Sequence, residues 1–159
     1  MRGARAGNSS TSRQVEDIAG GGPPTIAAVQ SRTRVLVVED DPDTLAAVAA
    51  ALRDEFAVWV ARDGEQALEV ADELGFNADV VVIDLHLGPG MRGDQFAAEY
   101  RRRAKGPARI VVLSGVPLAR ELGRAIGAAA VLPKPYDVGE LVSTIRILSP
   151  RKDEGSAAD

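Results

Sequence analysis

The run Ala78-Asp79-Val80-Val81-Val82-Ile83-Asp84 decides the fold. Four β-branched residues in succession leave no polar face, so the strand they form is covered on both sides, as strands inside parallel sheets are. A carboxylate that closes such a strand is expensive unless something at the strand end uses its charge. Working outward, the same arrangement recurs. Val35-Leu36-Val37-Val38 runs into Glu39, Asp40 and Asp41; Ile110-Val111-Val112-Leu113 runs into Ser114; Ala129-Ala130-Val131-Leu132 runs through Pro133 into Lys134. Strands are predicted at 33–39, 57–61, 79–84, 109–114 and 129–132.

Helices are predicted between them, at 42–53, 64–74, 93–104, 117–126 and 137–148. The 3.6-residue period is carried by Leu45/Val48/Leu52, Leu68/Ala71, Leu118/Leu122/Ile126 and Val138/Leu141/Val142/Ile145. Asp41 before Pro42 is a helix start. Asp63 three residues before Gln66, and Asp137 three before Glu140, have capping-box spacing. Five βα repeats make an α/β protein, an open doubly wound parallel sheet of five strands with five helices on both faces. Ligands of such sheets bind outside the carboxyl ends of the strands, where the polar residues above fall. Trp59 and Phe96 are expected in the core and Tyr100 half-buried against the sheet.

With 159 residues the chain is expected to hold one domain, residues 32–148. Residues 1–31, rich in Gly, Ser and Arg around Gly20-Gly21-Gly22-Pro23-Pro24, are expected to form a disordered N-terminal extension, and 149–159 a flexible tail. Cysteine is absent, which excludes disulfides and thiolate metal sites and suits a cytoplasmic protein. No apolar run approaches the roughly 20 residues of a membrane span. Arg2 and Arg5 have no apolar stretch behind them, so the N-terminus does not read as a secretory signal. The formal charge of −4 is +3 over residues 1–34 and −7 over the rest, an acidic body that argues against direct nucleic-acid binding. The one dense basic patch, Arg101-Arg102-Arg103 with Lys105, reads first as cations favoured at a helix C-terminus, and second as a docking patch.

The strand-end cluster has a chemistry of its own. Asp40, Asp84 and the acids beside Asp40 suit a hard cation such as Mg²⁺, which takes one or two carboxylates, keeps waters and completes its shell with phosphate. Neutralised in this way, a carboxylate oxygen of Asp84 can attack a phosphoryl group and form an aspartyl-phosphate. Lys134 would pair with a phosphoryl oxygen and Ser114 would donate a hydrogen bond to another.

Four segments carry a family resemblance: Val37-Val38-Glu39-Asp40-Asp41-Pro42, Val82-Ile83-Asp84-Leu85, Val112-Leu113-Ser114-Gly115 and Leu132-Pro133-Lys134-Pro135-Tyr136. In that order, on those strand ends, the chain resembles the response-regulator receiver domain of two-component signalling over roughly residues 33–148. The resemblance implies a flavodoxin- or CheY-like strand order of 2-1-3-4-5. It implies Asp84 as phosphoacceptor, with Asp40, Asp84 and the His86 backbone carbonyl as metal ligands and Glu39 acting indirectly. The metal would be Mg²⁺ or Mn²⁺, Ser114 the switching hydroxyl and Lys134 the phosphoryl-binding lysine, followed by a cis bond before Pro135. The implied partners are a histidine kinase or histidine phosphotransfer protein upstream and an unidentified protein target downstream, with a homodimer through the fourth helix, fifth strand and fifth helix as a further arrangement.

Three departures from the family pattern stand out. The loop Leu85-His86-Leu87-Gly88-Pro89-Gly90-Met91-Arg92-Gly93 is one residue longer than the commonest form. Val131 stands at the switch position where many members have Tyr or Phe. His86 and Val116 occupy the positions that tune phosphate lifetime, and neither aligns an attacking water well, so slow loss of phosphate is expected.

Two other motifs compete. Gly88-Pro89-Gly90-Met91-Arg92-Gly93 spells GxGxxG, yet it follows the third strand, and the next strand ends in Ser114 without an acid for a ribose. Asp41-Pro42-Asp43-Thr44 is close to the Asp-x-Asp-x-Thr of haloacid-dehalogenase-type phosphatases, with the threonine one residue early; an acidic helix start explains it better. His86 is the only histidine and can build neither a histidine metal site nor a Ser-His-Asp triad alone. The expectation is therefore a stand-alone receiver, a signalling protein that catalyses only its own phosphorylation and dephosphorylation. The alternatives are an unphosphorylated receiver-like binding module and, further off, a phosphatase.

Overall fold

The computed structural model describes residues 24–26 and 32–150. Five strands alternate with five helices: β1 (Arg34–Val38), α1 (Pro42–Arg53), β2 (Ala57–Ala61), α2 (Gly64–Glu73), β3 (Val80–Asp84), α3 (Gly93–Arg103), β4 (Arg109–Ser114), α4 (Ala119–Ala125), β5 (Ala130–Pro133) and α5 (Val138–Leu148). The strands are all parallel in the order β2-β1-β3-β4-β5. This is the doubly wound sheet the sequence predicts, and β3 lies at its centre, fully buried along its length. Predicted boundaries agree within a residue or so except for α4. That helix begins at Ala119, because Val116–Leu118 form a turn closed by Ala119 N–H to the Val116 carbonyl.

The core is a single cluster on both sheet faces. Leu36, Ile83, Ile110, Leu45, Leu141 and Ile145 are fully buried in it. Each such side chain contributes about 1.5–3 kcal/mol relative to exposure. Two aromatic expectations need correction. Trp59 is only half-buried, since β2 is an edge strand and its outward face is incompletely covered. Tyr100 is 1% exposed rather than half-buried: its ring packs between Phe76 and Phe96 and its hydroxyl accepts the Ala78 N–H at 3.0 Å. Phe96 is in the core as expected.

The caps follow the sequence with two refinements. Asp41 and Asp63 accept the N–H groups of Thr44 and Gln66, three residues on. Gln66 reaches back one residue further than a capping box requires, accepting the Arg62 N–H at 2.7 Å. Asp137 caps Gly139 rather than Glu140. The basic patch is used within the protein. Arg102 and Arg103 pair with Glu99, Arg103 also covers the Phe76 ring, and Arg101 donates to the carbonyls of Ile126 and Gly127 behind α4. That favours the helix-terminus reading over a free docking patch. No helix among the described residues is long and apolar enough to cross a membrane. Residues 1–23, 27–31 and 151–159, which hold most of the two expected extensions, lie outside the described residues.

Candidate functional site

Parallel register brings the site together. Val38 pairs with Ile83, Asp84 with Leu113, and Ser114 with Pro133, so the ends of β1, β3, β4 and β5 finish at one level. Residues 50 or more positions apart thereby share one rim of the sheet. Glu39, Asp84 and Ser114 are buried at 3%, 4% and 1% exposure, while Asp40 faces solvent. One carboxylate oxygen from each of Glu39, Asp40 and Asp84 lies within 4.8 Å of the others.

Both oxygens of Asp84 are engaged. Oδ1 accepts the His86 N–H at 2.9 Å and Oδ2 accepts from Lys134 Nζ at 2.6 Å. Lys134 Nζ is also 3.6 Å from Glu39 Oε1. Burial works against the lysine's charge, but the bond to Asp84 and the charges of Asp84 and Glu39 outweigh it, and its pKa lies above the usual 10.5. The backbone of Lys134 is set by its own N–H, which donates to the Ser114 carbonyl at 2.9 Å, and by the cis peptide to Pro135. Ser114 Oγ accepts the Val116 N–H at 3.2 Å.

Glu39 is the strained member of the group. Oε2 accepts the Asp41 N–H at 3.1 Å, but Oε1 is buried with no hydrogen-bond partner. Desolvation pushes its pKa from 4.5 to about 6; the Asp41 N–H and Lys134 oppose the rise, and the charge of Asp84 and the nearby Asp40 add to it. A buried carboxylate oxygen without a hydrogen bond, beside two more carboxylates, belongs to a donor set that could hold a hard divalent cation, and Mg²⁺ fits these residues.

The competing motifs resolve structurally. Gly88 and Gly90 adopt φ of +74° and +95°, and carboxylates lie against both: a Cβ at Gly88 would be 3.6 Å from Asp40 Oδ2, and one at Gly90 would be 3.2 Å from Glu65 Oε2. Acids stand where a pyrophosphate would need donors, so this is a turn and no dinucleotide cradle. Asp43 is exposed, and Thr44 Oγ1 donates to Asp41 Oδ2 instead of facing the cluster. His86 is exposed and meets the site through its backbone. Val131 is half-buried, with Cγ2 so close to Gly123 that a Cβ there would lie 2.4 Å away. Sequence reasoning missed Glu65, whose carboxylate accepts the Met91 N–H at 3.1 Å. No local pattern signals this contact, because the partners are 26 residues apart.

A doubly wound sheet with an acidic cluster and a lysine at its strand ends defines a class, and comparison with known proteins agrees. The response regulator receiver domain matches residues 35–146, and the chain belongs to that family. The transcriptional regulatory protein TcrA of Mycobacterium tuberculosis is 37% identical over 135 residues, covering 84% of this chain and 52% of TcrA. The sensory transduction protein RegX3 of Mycobacterium bovis is 36% identical over 115 residues, covering 72% of this chain and 49% of RegX3. The chain thus spans about half the length of these curated relatives. Among solved structures, chemotaxis protein CheY4 of Vibrio cholerae superposes with a TM-score of 0.65 at 28% identity, covering 74% of this chain and 99% of CheY4. Response regulator TrrA of Thermotoga maritima, in complex with Mg²⁺ and BeF, gives 0.62 at 28% identity, covering 73% and 98%. The chain is a receiver domain of the two-component type, a signalling module.

Proposed function

We propose that Asp84 accepts a phosphoryl group from a phosphohistidine on a histidine kinase or phosphotransfer protein, with Mg²⁺ or Mn²⁺ held by Asp40, Asp84 and the His86 carbonyl, and Glu39 supporting them. The observation that carries this reading is the bond of Lys134 Nζ to Asp84 Oδ2 at 2.6 Å, beside the orphaned Oε1 of Glu39. A carboxylate oxygen of Asp84 bonds to phosphorus as the P–N bond of the donor breaks, and the P–N electron pair leaves with a neutral imidazole whose other nitrogen keeps the proton it already carried. The cation, when bound, neutralises the negative charge that would otherwise repel the incoming phosphoryl group. Lys134 moves its hydrogen bond from the carboxylate to a phosphoryl oxygen, and Ser114, whose Oγ accepts the Val116 N–H, turns its hydroxyl proton to another. Those two exchanges pull on the starts of the β4–α4 and β5–α5 connections. The consequence we propose is altered protein binding across α4, β5 and α5, to a target or to a second copy of the chain, in the cytoplasm. Val131 is too small to act as a rotating aromatic there, and His86 and Val116 offer no aligned water base, so we expect a long-lived phosphate. The names of the relatives support a place upstream of transcriptional control, reached through protein contacts and not through nucleic acid bound by this acidic domain.

Intact-mass spectrometry after incubation with acetyl phosphate and Mg²⁺ tests the assignment. One phosphoryl adduct is expected, lost on hydroxylamine treatment and absent in Asp84→Ala. No adduct in the wild type, or an equal adduct in the variant, overturns it and leaves a receiver used only for binding.

A further inference from the structure

The loop between β3 and α3 is held at both ends, and its far end depends on a residue outside the strand-end cluster. At its foot, Gly93 N–H donates to the Leu85 carbonyl at 3.3 Å, and Gly93 packs so tightly that a Cβ would lie 2.4 Å from the Asp84 carbonyl oxygen. Leu85 and Leu87 are buried, and His86 between them donates its N–H to Asp84. From there the loop passes Asp40 at Gly88. Its tip is then fastened to the first turn of α2. The Glu65 carboxylate accepts the Met91 N–H at 3.1 Å, and the Met91 side chain fills the space that a Cβ on Gly64 would need, with contacts of 2.8–3.0 Å. Gly90, at φ +95°, lets the chain turn against that carboxylate.

We propose that Glu65 is a positioning residue for the cation site: by latching the loop tip at Met91 to α2, it sets where the His86 carbonyl and Asp84 meet the metal. Glu65 touches none of the reacting atoms. It acts through the segment Leu87–Gly90, which joins the Met91 latch to the Asp84–His86 contact. This rests on the reading of Asp84, Asp40 and His86 as the cation site, and it adds to that reading the element that holds the third ligand in place. Partners that orient metal ligands usually contribute about 10–100-fold to affinity; this latch is exposed to solvent and belongs at the lower end, about tenfold. Glutamine at this position keeps a carbonyl acceptor for the Met91 N–H while removing the charge. The latch and a simple electrostatic attraction for the cation are therefore separable.

The test is Mg²⁺ titration of the wild type, Glu65→Ala and Glu65→Gln, followed by the amide resonances of His86 and Met91, with hydrogen exchange of the Met91 amide measured in metal-free protein. Expected are a dissociation constant about tenfold weaker in Glu65→Ala with faster Met91 exchange, and values within about twofold of wild type in Glu65→Gln. Gly64→Ala, whose Cβ would meet the Met91 side chain at 2.8–3.0 Å and push the loop tip off α2, should weaken Mg²⁺ in the same way and carries the test if Glu65→Ala does not fold. Unchanged affinity in Glu65→Ala overturns the proposal, and so does an equal loss in Glu65→Ala and Glu65→Gln, which would assign the effect to charge. Failure of the wild type to bind Mg²⁺ at millimolar concentration would overturn the cation-site reading itself, and the latch with it.

Discussion

Glu39→Gln is the perturbation whose outcome follows most directly from the structure. Glu39 is 3% exposed and its Oε1 has no hydrogen-bond partner, so ionisation is opposed chiefly by desolvation and its pKa rises from 4.5 to about 6. A folded-state pKa above the unfolded value means that the folded protein binds the proton more tightly. The stabilisation this brings is complete below pH 4.5 and is lost as pH rises through 6. At about 1.4 kcal/mol per pH unit, the interval from 4.5 to about 6 corresponds to about 2 kcal/mol. Glutamine is neutral throughout and does not lose this contribution. Urea unfolding of metal-free wild type and Glu39→Gln from about pH 4 to about pH 8 should show the variant's relative stability rising by about 2 kcal/mol, with most of the change between pH 4.5 and 7. Whatever constant offset the amide introduces cancels in that comparison. Saturating Mg²⁺ at pH 8 should shrink that difference, because a cation held by Asp40 and Asp84 adds positive charge beside the Glu39 carboxylate. A pH-independent difference between the two proteins, or one that falls with pH, would refute the reasoning that Glu39 is an acid whose burial raises its pKa.

Two further outcomes test the framework around the site. Gly93→Ala must drive its Cβ into the Asp84 carbonyl and the Leu85 backbone, neither of which can swing away; a stability loss of about 1–3 kcal/mol is expected in urea unfolding, and a neutral result would mean that the loop foot yields freely. Arg101→Ala removes both donors to the Ile126 and Gly127 carbonyls and should speed amide exchange at the C-terminal end of α4 while costing about 1 kcal/mol of global stability; unchanged exchange there would show that α4 is held by Gly123 against Val131 alone.

Much of this protein is legible in one sequence because its strands are buried on both faces. Val80–Ile83 is buried throughout as its apolar run predicts, and the helical spacings at Leu45/Val48/Leu52 and Leu141/Ile145 point their apolar faces where the structure puts them. The polar residues that break these runs, Glu39, Asp84, Ser114 and Lys134, stand out for the same reason: each terminates an apolar strand in a fold whose strand ends form one rim. Reading Trp59 as core went too far because hydrophobicity says nothing of which strand is at the edge, and reading Tyr100 as half-buried fell short because its partner, the Ala78 N–H, is a backbone group with no sequence signature.

Sequence alone therefore determined the alternation of elements, the parallel sheet and the identity of the strand-end cluster, since periodicity and residue polarity are local properties of the chain. Only the tertiary structure decided the terms on which that cluster exists. Lys134 at 2.6 Å from Asp84 and 3.6 Å from Oε1 of Glu39, Glu65 fastened to Met91 and Arg101 fastened behind α4 all join residues distant in the chain. Such contacts are set by the register of strands and the packing of loops upon helices, and those arise only when the whole sheet closes around its core.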